Sequence, residues 1–125
     1  MIVYRGKRNF VLLNLFPYTG GHMMIAPYAH VPTLEETDEE DAAEMMSIAR
    51  LAQKKLREVY RSPGFNIGMN IGSSAGAGIA GHIHMHVLPR WPGDVNFMTA
   101  IGETRVIPED LSETYRKLSE AFRPA

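Results

Sequence analysis

The sequence predicts one α+β domain spanning residues 1–125, with short strands grouped in hairpins and segregated from two helices. Three observations predict it. Short apolar runs bounded by turn formers fill the first thirty residues. A long stretch then repeats apolar residues at three-and-four spacing, and two alternating runs flank a glycine-rich segment before a closing helical stripe. A chain of 125 residues is the size of a single domain and can bury a core without a disulfide or metal staple.

The elements follow in order. Ile2 to Tyr4 reads as a short first strand, and Asn9 to Leu15 and His22 to Pro27 as a hairpin joined by the turn formers Pro17-Tyr18-Thr19-Gly20-Gly21. Thr37 with Glu40 three residues on makes a capping box that opens the long helix, with acids in its first turn and Lys54, Lys55 and Arg57 near its end, as the helix dipole favours. Its apolar stripe is Ala42, Met45, Ala49, Ala52, Leu56 and Val59, which leaves Glu44, Arg50, Lys54 and Lys55 on a solvated face. After Pro63-Gly64, Phe65, Ile67, Met69 and Ile71 alternate with small or polar residues as a half-buried strand. Gly72 to Gly81 has too little side chain to form a core and reads as an exposed loop. His82 to Leu88 alternates as a strand that stops at Pro89, and a last helix starts with Pro108 at its first position and carries Leu111, Tyr115, Leu118 and Phe122.

Charge and composition exclude several classes. With 13 Lys+Arg against 14 Asp+Glu the formal net charge is -1, so neither a nucleic acid nor a membrane surface is an expected partner, and an anionic ligand must be held locally. The chain has no cysteine, hence no disulfide or thiolate chemistry, and no apolar run or signal-peptide core, which together predict a cytoplasmic protein.

Three of the five histidines lie in His82-Ile83-His84-Met85-His86. On a strand the period of two sends all three imidazoles to one face, about 6.6 to 6.8 Å apart, with His84 in the middle. Imidazole titrates near neutrality, so His84 can serve as nucleophile or proton donor according to its neighbours. Two other readings remain open at this level: a wet polar face, or ligands of a hydrolytic zinc site, which needs three protein ligands and an open position but has no local carboxylate here before Asp94. The glycine-rich loop running into the histidines can offer backbone N–H groups to an anion such as phosphate, or can be a plain hairpin connection. His30, beside Val31-Pro32, reads as a loop residue, and Trp91 as a packing residue.

His82-Ile83-His84-Met85-His86-Val87-Leu88 resembles the signature of the histidine triad superfamily. Asn14 and, eight residues later, His22 look like its ribose-contacting asparagine and its fourth histidine. Pro89-Arg90-Trp91, Gly93-Asp94, Asn96-Phe97-Met98 and Thr104 to Pro108 look like the branch containing fragile histidine triad proteins and bacterial diadenosine tetraphosphate phosphorylases or hydrolases. The resemblance implies an antiparallel sheet of about five strands with one long and one C-terminal helix, pairing into a homodimer with a continuous sheet.

It also implies a nucleotidyl hydrolase or transferase. His84 would attack the α-phosphorus of a dinucleoside polyphosphate, diadenosine tetraphosphate or triphosphate, or of a related adenylylated compound, and water or phosphate would release the nucleotide from the histidine. On the same match His86 would donate toward the phosphate or the leaving oxygen, His82 would orient His84, and His22 would support the row. Asn14 would meet the ribose, Leu12, Leu13 and Met24 would line the base pocket, and Asn70, Gly76 and Gly78 would shape the phosphate loop. No cofactor is implied for the protein itself, with Mg2+ accompanying the substrate phosphates. Two departures stand out: Gly78 occupies a position where many members carry a phosphate-binding glutamine, and an extra aromatic and basic N-terminal segment common in the branch does not precede Met1. A zinc hydrolase and a nucleotide-binding module without catalysis are the alternative functions.

Overall fold

The computed structural model describes residues 1–94 and 109–124. Five strands, β1 (Ile2–Arg5), β2 (Asn9–Leu13), β3 (Met23–Pro27), β4 (Gly64–Gly68) and β5 (Met85–Arg90), form one sheet in the order β1-β2-β3-β5-β4, every neighbouring pair antiparallel. Helices α1 (Glu39–Tyr60) and α2 (Leu111–Ala121) and two short 3-10 turns, Leu34–Glu36 and Ser73–Ala75, complete the described elements. The motifs Asn96-Phe97-Met98 and Thr104 to Pro108 lie outside the described residues.

Strand alternation decides which face holds the core. Val11, Leu13, Met23, Ile25, Met85 and Val87 turn inwards and are buried in one cluster with Met45, Ala49, Ala52 and Leu56 of α1. Their even-numbered neighbours Leu12, Met24 and His86 face the other side and stay half-buried. Helix α2 adds Leu118 and Phe122 to the cluster, with the Phe122 ring 5.2 Å from that of Tyr4 on β1. The helices therefore close one face of the sheet and leave the histidine face open to a ligand.

The long helix begins one residue later than the capping box predicts. Thr37 closes a short 3-10 turn (Leu34–Glu36), its hydroxyl donating to the Leu34 carbonyl, and Asp38 is the residue that caps α1. The Thr37 hydroxyl makes its hydrogen bond to the preceding turn and none to the first amides of α1. Glu44 leaves the solvated face: its carboxylate accepts the backbone N–H groups of Lys7 and Arg8 and the Asn9 amide, tying the β1–β2 turn to α1. These bonds hold its pKa below the usual carboxylate value in spite of opposing desolvation. The helix ends where Arg61 enters the left-handed region at φ 51.

Other boundaries move for similar reasons. β2 stops at Leu13 because the Asn14 side-chain oxygen accepts the Phe16 N–H at 2.9 Å, a local turn that swings Leu15 and Phe16 out of the sheet. β4 ends at Gly68, opposite His86, and as an edge strand it leaves Ile67 and, beyond its end, Ile71 exposed. Pro89 belongs to β5 instead of ending it: it pairs with Phe65, and its carbonyl accepts the Thr19 hydroxyl at a point where β3 has already run out. α2 is capped by Asp110, whose carboxylate accepts the Ser112 N–H, and begins at Leu111; Pro108 lies outside the described residues, and Thr114 instead of Tyr115 is buried beneath the helix. No helix among the described residues is long and apolar enough to cross a membrane.

Candidate active site

The histidine row is only partly a strand. β5 begins at Met85, so His86 alone of the three lies within it. The ladder to β3 stops at Ile25 opposite Met85; beyond it, Ile83 N–H donates to Val31 O at 2.7 Å, and the ring of His82 bonds the Pro27 carbonyl in place of a backbone amide. His82 is thereby turned toward the end of β3, while His84 and His86 face one cavity with rings 5.0 Å apart and edge-on.

Backbone partners assign the tautomers of His22, His84 and His82, and through them those of His86 and His30, because a carbonyl can only accept and an amide can only donate. The Tyr18 N–H donates to His22 Nδ1 at 3.2 Å, so the proton of neutral His22 is on Nε2, which donates to His86 Nδ1 at 2.9 Å. His86 then carries its proton on Nε2. His84 Nδ1–H donates to the His82 carbonyl at 2.9 Å, which leaves a lone pair on Nε2. His82 Nε2–H donates to Pro27 O at 2.8 Å, so its Nδ1 accepts the Nδ1–H of His30, also at 2.8 Å.

Burial keeps the supporting rings uncharged. His22 is 1% exposed, and desolvation, followed by repulsion from His86, lowers its pKa to about 4. Desolvation and then the neighbouring His84 also lower the pKa of His86. Asn14 Nδ2 lies 3.3 Å from His22 Nε2. Since that nitrogen already donates to His86, the Asn14 amide keeps its protons for a ligand.

Two cavities meet at His84. The larger, about 680 Å3, runs from Asn14, His22 and His86 to Asn70, Gly76 and Gly78 of the loop. The smaller, about 160 Å3, is apolar and lies over Phe10, Leu12, Met24 and Ala26, with Ile79 and His82 at its edge. No lysine or arginine among the described residues lines either. Gly72 and Gly76 take φ +83 and +94, conformations that favour glycine, whereas a Cβ on Gly78 would meet nothing within 4 Å.

The chain resembles known proteins over most of its length. The HIT domain family matches residues 1–93. The chain belongs to the HIT domain family. An AP-4-A phosphorylase of Mycobacterium tuberculosis is 45% identical over 119 residues, which are 95% of this chain and 61% of that protein. This HIT chain thus spans about three-fifths of that relative's length. The asymmetrical bis(5'-nucleosyl)-tetraphosphatase of Schizosaccharomyces pombe is 29% identical over 74% of this chain and 50% of that one. Among solved structures, a zinc-bound histidine triad family protein of Mycobacterium smegmatis superposes with a TM-score of 0.78 at 30% identity, covering 96% of this chain and 81% of that one.

Most residues singled out in the sequence converge on the HIT site. Asn14, His22, Asn70, Gly76, Gly78, His84 and His86 line the larger cavity, and Leu12 and His82 line the smaller, with Met24 in both. Leu13 does not: it is 1% exposed in the core, since alternation cannot send Leu12 and Leu13 to the same face. Sequence reading missed His30, whose ring meets His82 across 52 residues of chain, and Tyr18, whose backbone orients His22 and whose ring stacks on it at 5.5 Å. It also missed Phe16 and Asn66 in the cavity wall. Only the turn chemistry around Pro17 hinted at the aromatic pair; nothing local hinted at His30. Trp91 packs edge-on against Tyr60 at 6.4 Å. Among the described residues no three of His, Cys, Asp and Glu are grouped to hold a metal ion.

Proposed function

We propose that this HIT domain cleaves at the α-phosphate of dinucleoside polyphosphates such as diadenosine tetraphosphate or triphosphate, or of related adenylylated compounds, with His84 Nε2 as nucleophile. The observation that carries the reading is the bond from His84 Nδ1–H to the His82 carbonyl, which leaves the Nε2 lone pair for phosphorus beside the cavity. The bond from Nε2 to phosphorus forms as the bond from phosphorus to the leaving oxygen breaks. The positive charge that His84 acquires is shared with the Nδ1–H held on His82 O. His86 Nε2–H donates to the leaving oxygen, and His22 holds His86 in that tautomer. Water or phosphate then attacks the nucleotidyl-histidine and frees His84.

The remaining assignments follow the same geometry. One base enters the apolar pocket at Leu12 and Met24, Asn14 meets the ribose, and the loop at Asn70, Gly76 and Gly78 receives the phosphates. Because no cationic side chain among the described residues lines the cavity, Mg2+ enters with the substrate phosphates. The names of the M. tuberculosis and S. pombe relatives support this substrate class. The exposed edge strand β4 supports a homodimer with a continuous sheet.

The decisive experiment incubates the protein with a panel of adenine dinucleotides, with and without phosphate, and reads products and protein mass. Cleavage with an acid-labile nucleotidyl adduct is expected, and His84→Asn should lower turnover by about 1,000-fold or more. Full turnover in that variant, or activity that tracks stoichiometric zinc, rejects the reading. Tight nucleotide binding without any product marks a catalytically silent module.

A further inference from the structure

The two cavities share His84 but differ in character, and the difference extends beyond the reacting phosphate. On one side of His84 the small apolar pocket has room for about one ring system, being well below the ~300 Å3 at which sites for whole small molecules begin. On the other side the larger cavity opens past Asn14 to Leu15 and Phe16, with Ile67 of β4 also in its wall. Leu15 is 62% exposed and Phe16 79% exposed, two adjacent apolar side chains held in water at the mouth of the larger cavity. They are not loosely held: Phe16 N–H is pinned to Asn14 Oδ1 at 2.9 Å, on the residue whose amide nitrogen reaches His22. An exposed apolar pair in the wall of the cavity that holds His84 and His86 is placed to meet a ligand bound there.

We propose that Leu15 and Phe16 form a stacking platform for the second nucleoside, the one that departs with the leaving nucleotide, and so select dinucleotides over compounds bearing a single nucleoside. The inference rests on the function proposed above and deepens it. A nucleophile aimed at an α-phosphate divides a dinucleotide in two: one nucleoside lies on the side of the small pocket, and the polyphosphate crosses His84 and His86. The far nucleoside then falls on the Phe16 side. An exposed phenyl face stacks any base, because every base offers a π-face, which predicts tolerance of base identity at this second position.

The test compares wild type with Phe16→Ser and Phe16→Trp on diadenosine tetraphosphate and on adenosine 5'-phosphoimidazolide, which carries one nucleoside. The ratio of kcat/KM for the dinucleotide to that for the phosphoimidazolide should fall by about 5- to 150-fold in Phe16→Ser, the range of one base stacked on an aromatic side chain, and recover in Phe16→Trp. An unchanged ratio overturns the platform while leaving the catalytic reading intact. If wild type turns over neither compound, the catalytic reading fails and binding decides the platform. The affinity gap between diadenosine tetraphosphate and AMP should then close in Phe16→Ser, and a gap that persists overturns it.

Discussion

His22 Nε2 and His86 Nδ1 are 2.9 Å apart, and the first of these rings is held by the Tyr18 backbone N–H on its far nitrogen. A backbone donor that cannot change its role therefore sets the protonation pattern of two side chains in succession, and delivers His86 to the cavity with its proton on Nε2. The arrangement works only while both rings are neutral. A second proton on His22 would have to sit on Nδ1, against the Tyr18 N–H.

Acid should therefore destabilise the protein through His22. Its folded pKa of about 4 lies below the ordinary value of 6.5, so between those two pH values the unfolded chain binds a proton that the folded protein refuses. Stability falls as pH drops from 6.5 toward 4, by less than about 4 kcal/mol from this group, and the contribution levels off below. Urea denaturation at pH 7, 6, 5 and 4 measures it. His22→Leu should flatten the slope in this window, and an equally steep slope in that variant contradicts the assignment.

His30 should act through His82. It touches the substrate-facing row only by donating Nδ1–H to His82 Nδ1, so it is a positioning residue, and loss of such outer contacts commonly costs about 10- to 100-fold where they orient a functional ring. We expect His30→Phe to lower kcat with little change in KM and to shift the His82 Nδ1 signal, which loses its donor, in long-range 15N–1H spectra of labelled histidine. His30→Asn, which keeps an N–H donor, should recover part of both. A spectrum of the His82 ring identical to wild type in His30→Phe removes this role.

Two glycines near the site should respond oppositely to side chains. Gly21, which delivers the chain to His22, has φ +84, and a Cβ there would lie 2.9 Å from the Tyr60 ring and 3.0 Å from Leu56. Backbone strain and crowding together should make Gly21→Ala cost about 2–5 kcal/mol in urea unfolding. Gly78→Gln meets open space and should stay within about 0.5 kcal/mol of wild type. It should also lower KM for a dinucleotide by placing an amide donor beside the phosphates. A Gly21→Ala variant as stable as wild type would show that the turn relaxes.

The legible parts of this protein were those with a short period. Alternation in β2, β3 and β5 located the buried face, and spacing alone put His84 at the centre of its row. The same parity excludes Leu13 from the base pocket once Leu12 is placed there, a deduction available from sequence and confirmed by burial. Boundaries were less legible where side chains compete for backbone groups, as Thr37 does at the start of α1 and Asn14 at the end of β2.

By itself the sequence determined the α+β class, the two helices, and that His84 and His86 share a face, because apolar periodicity and residue type are local properties of a chain. Tertiary structure alone decided which nitrogen of each ring carries its proton, that His30 reaches His82, and that Phe16 stands at the cavity mouth. Those outcomes depend on groups such as Pro27 O and Tyr18 N–H, whose partners are chosen by where distant segments come to rest, and no local pattern encodes that choice.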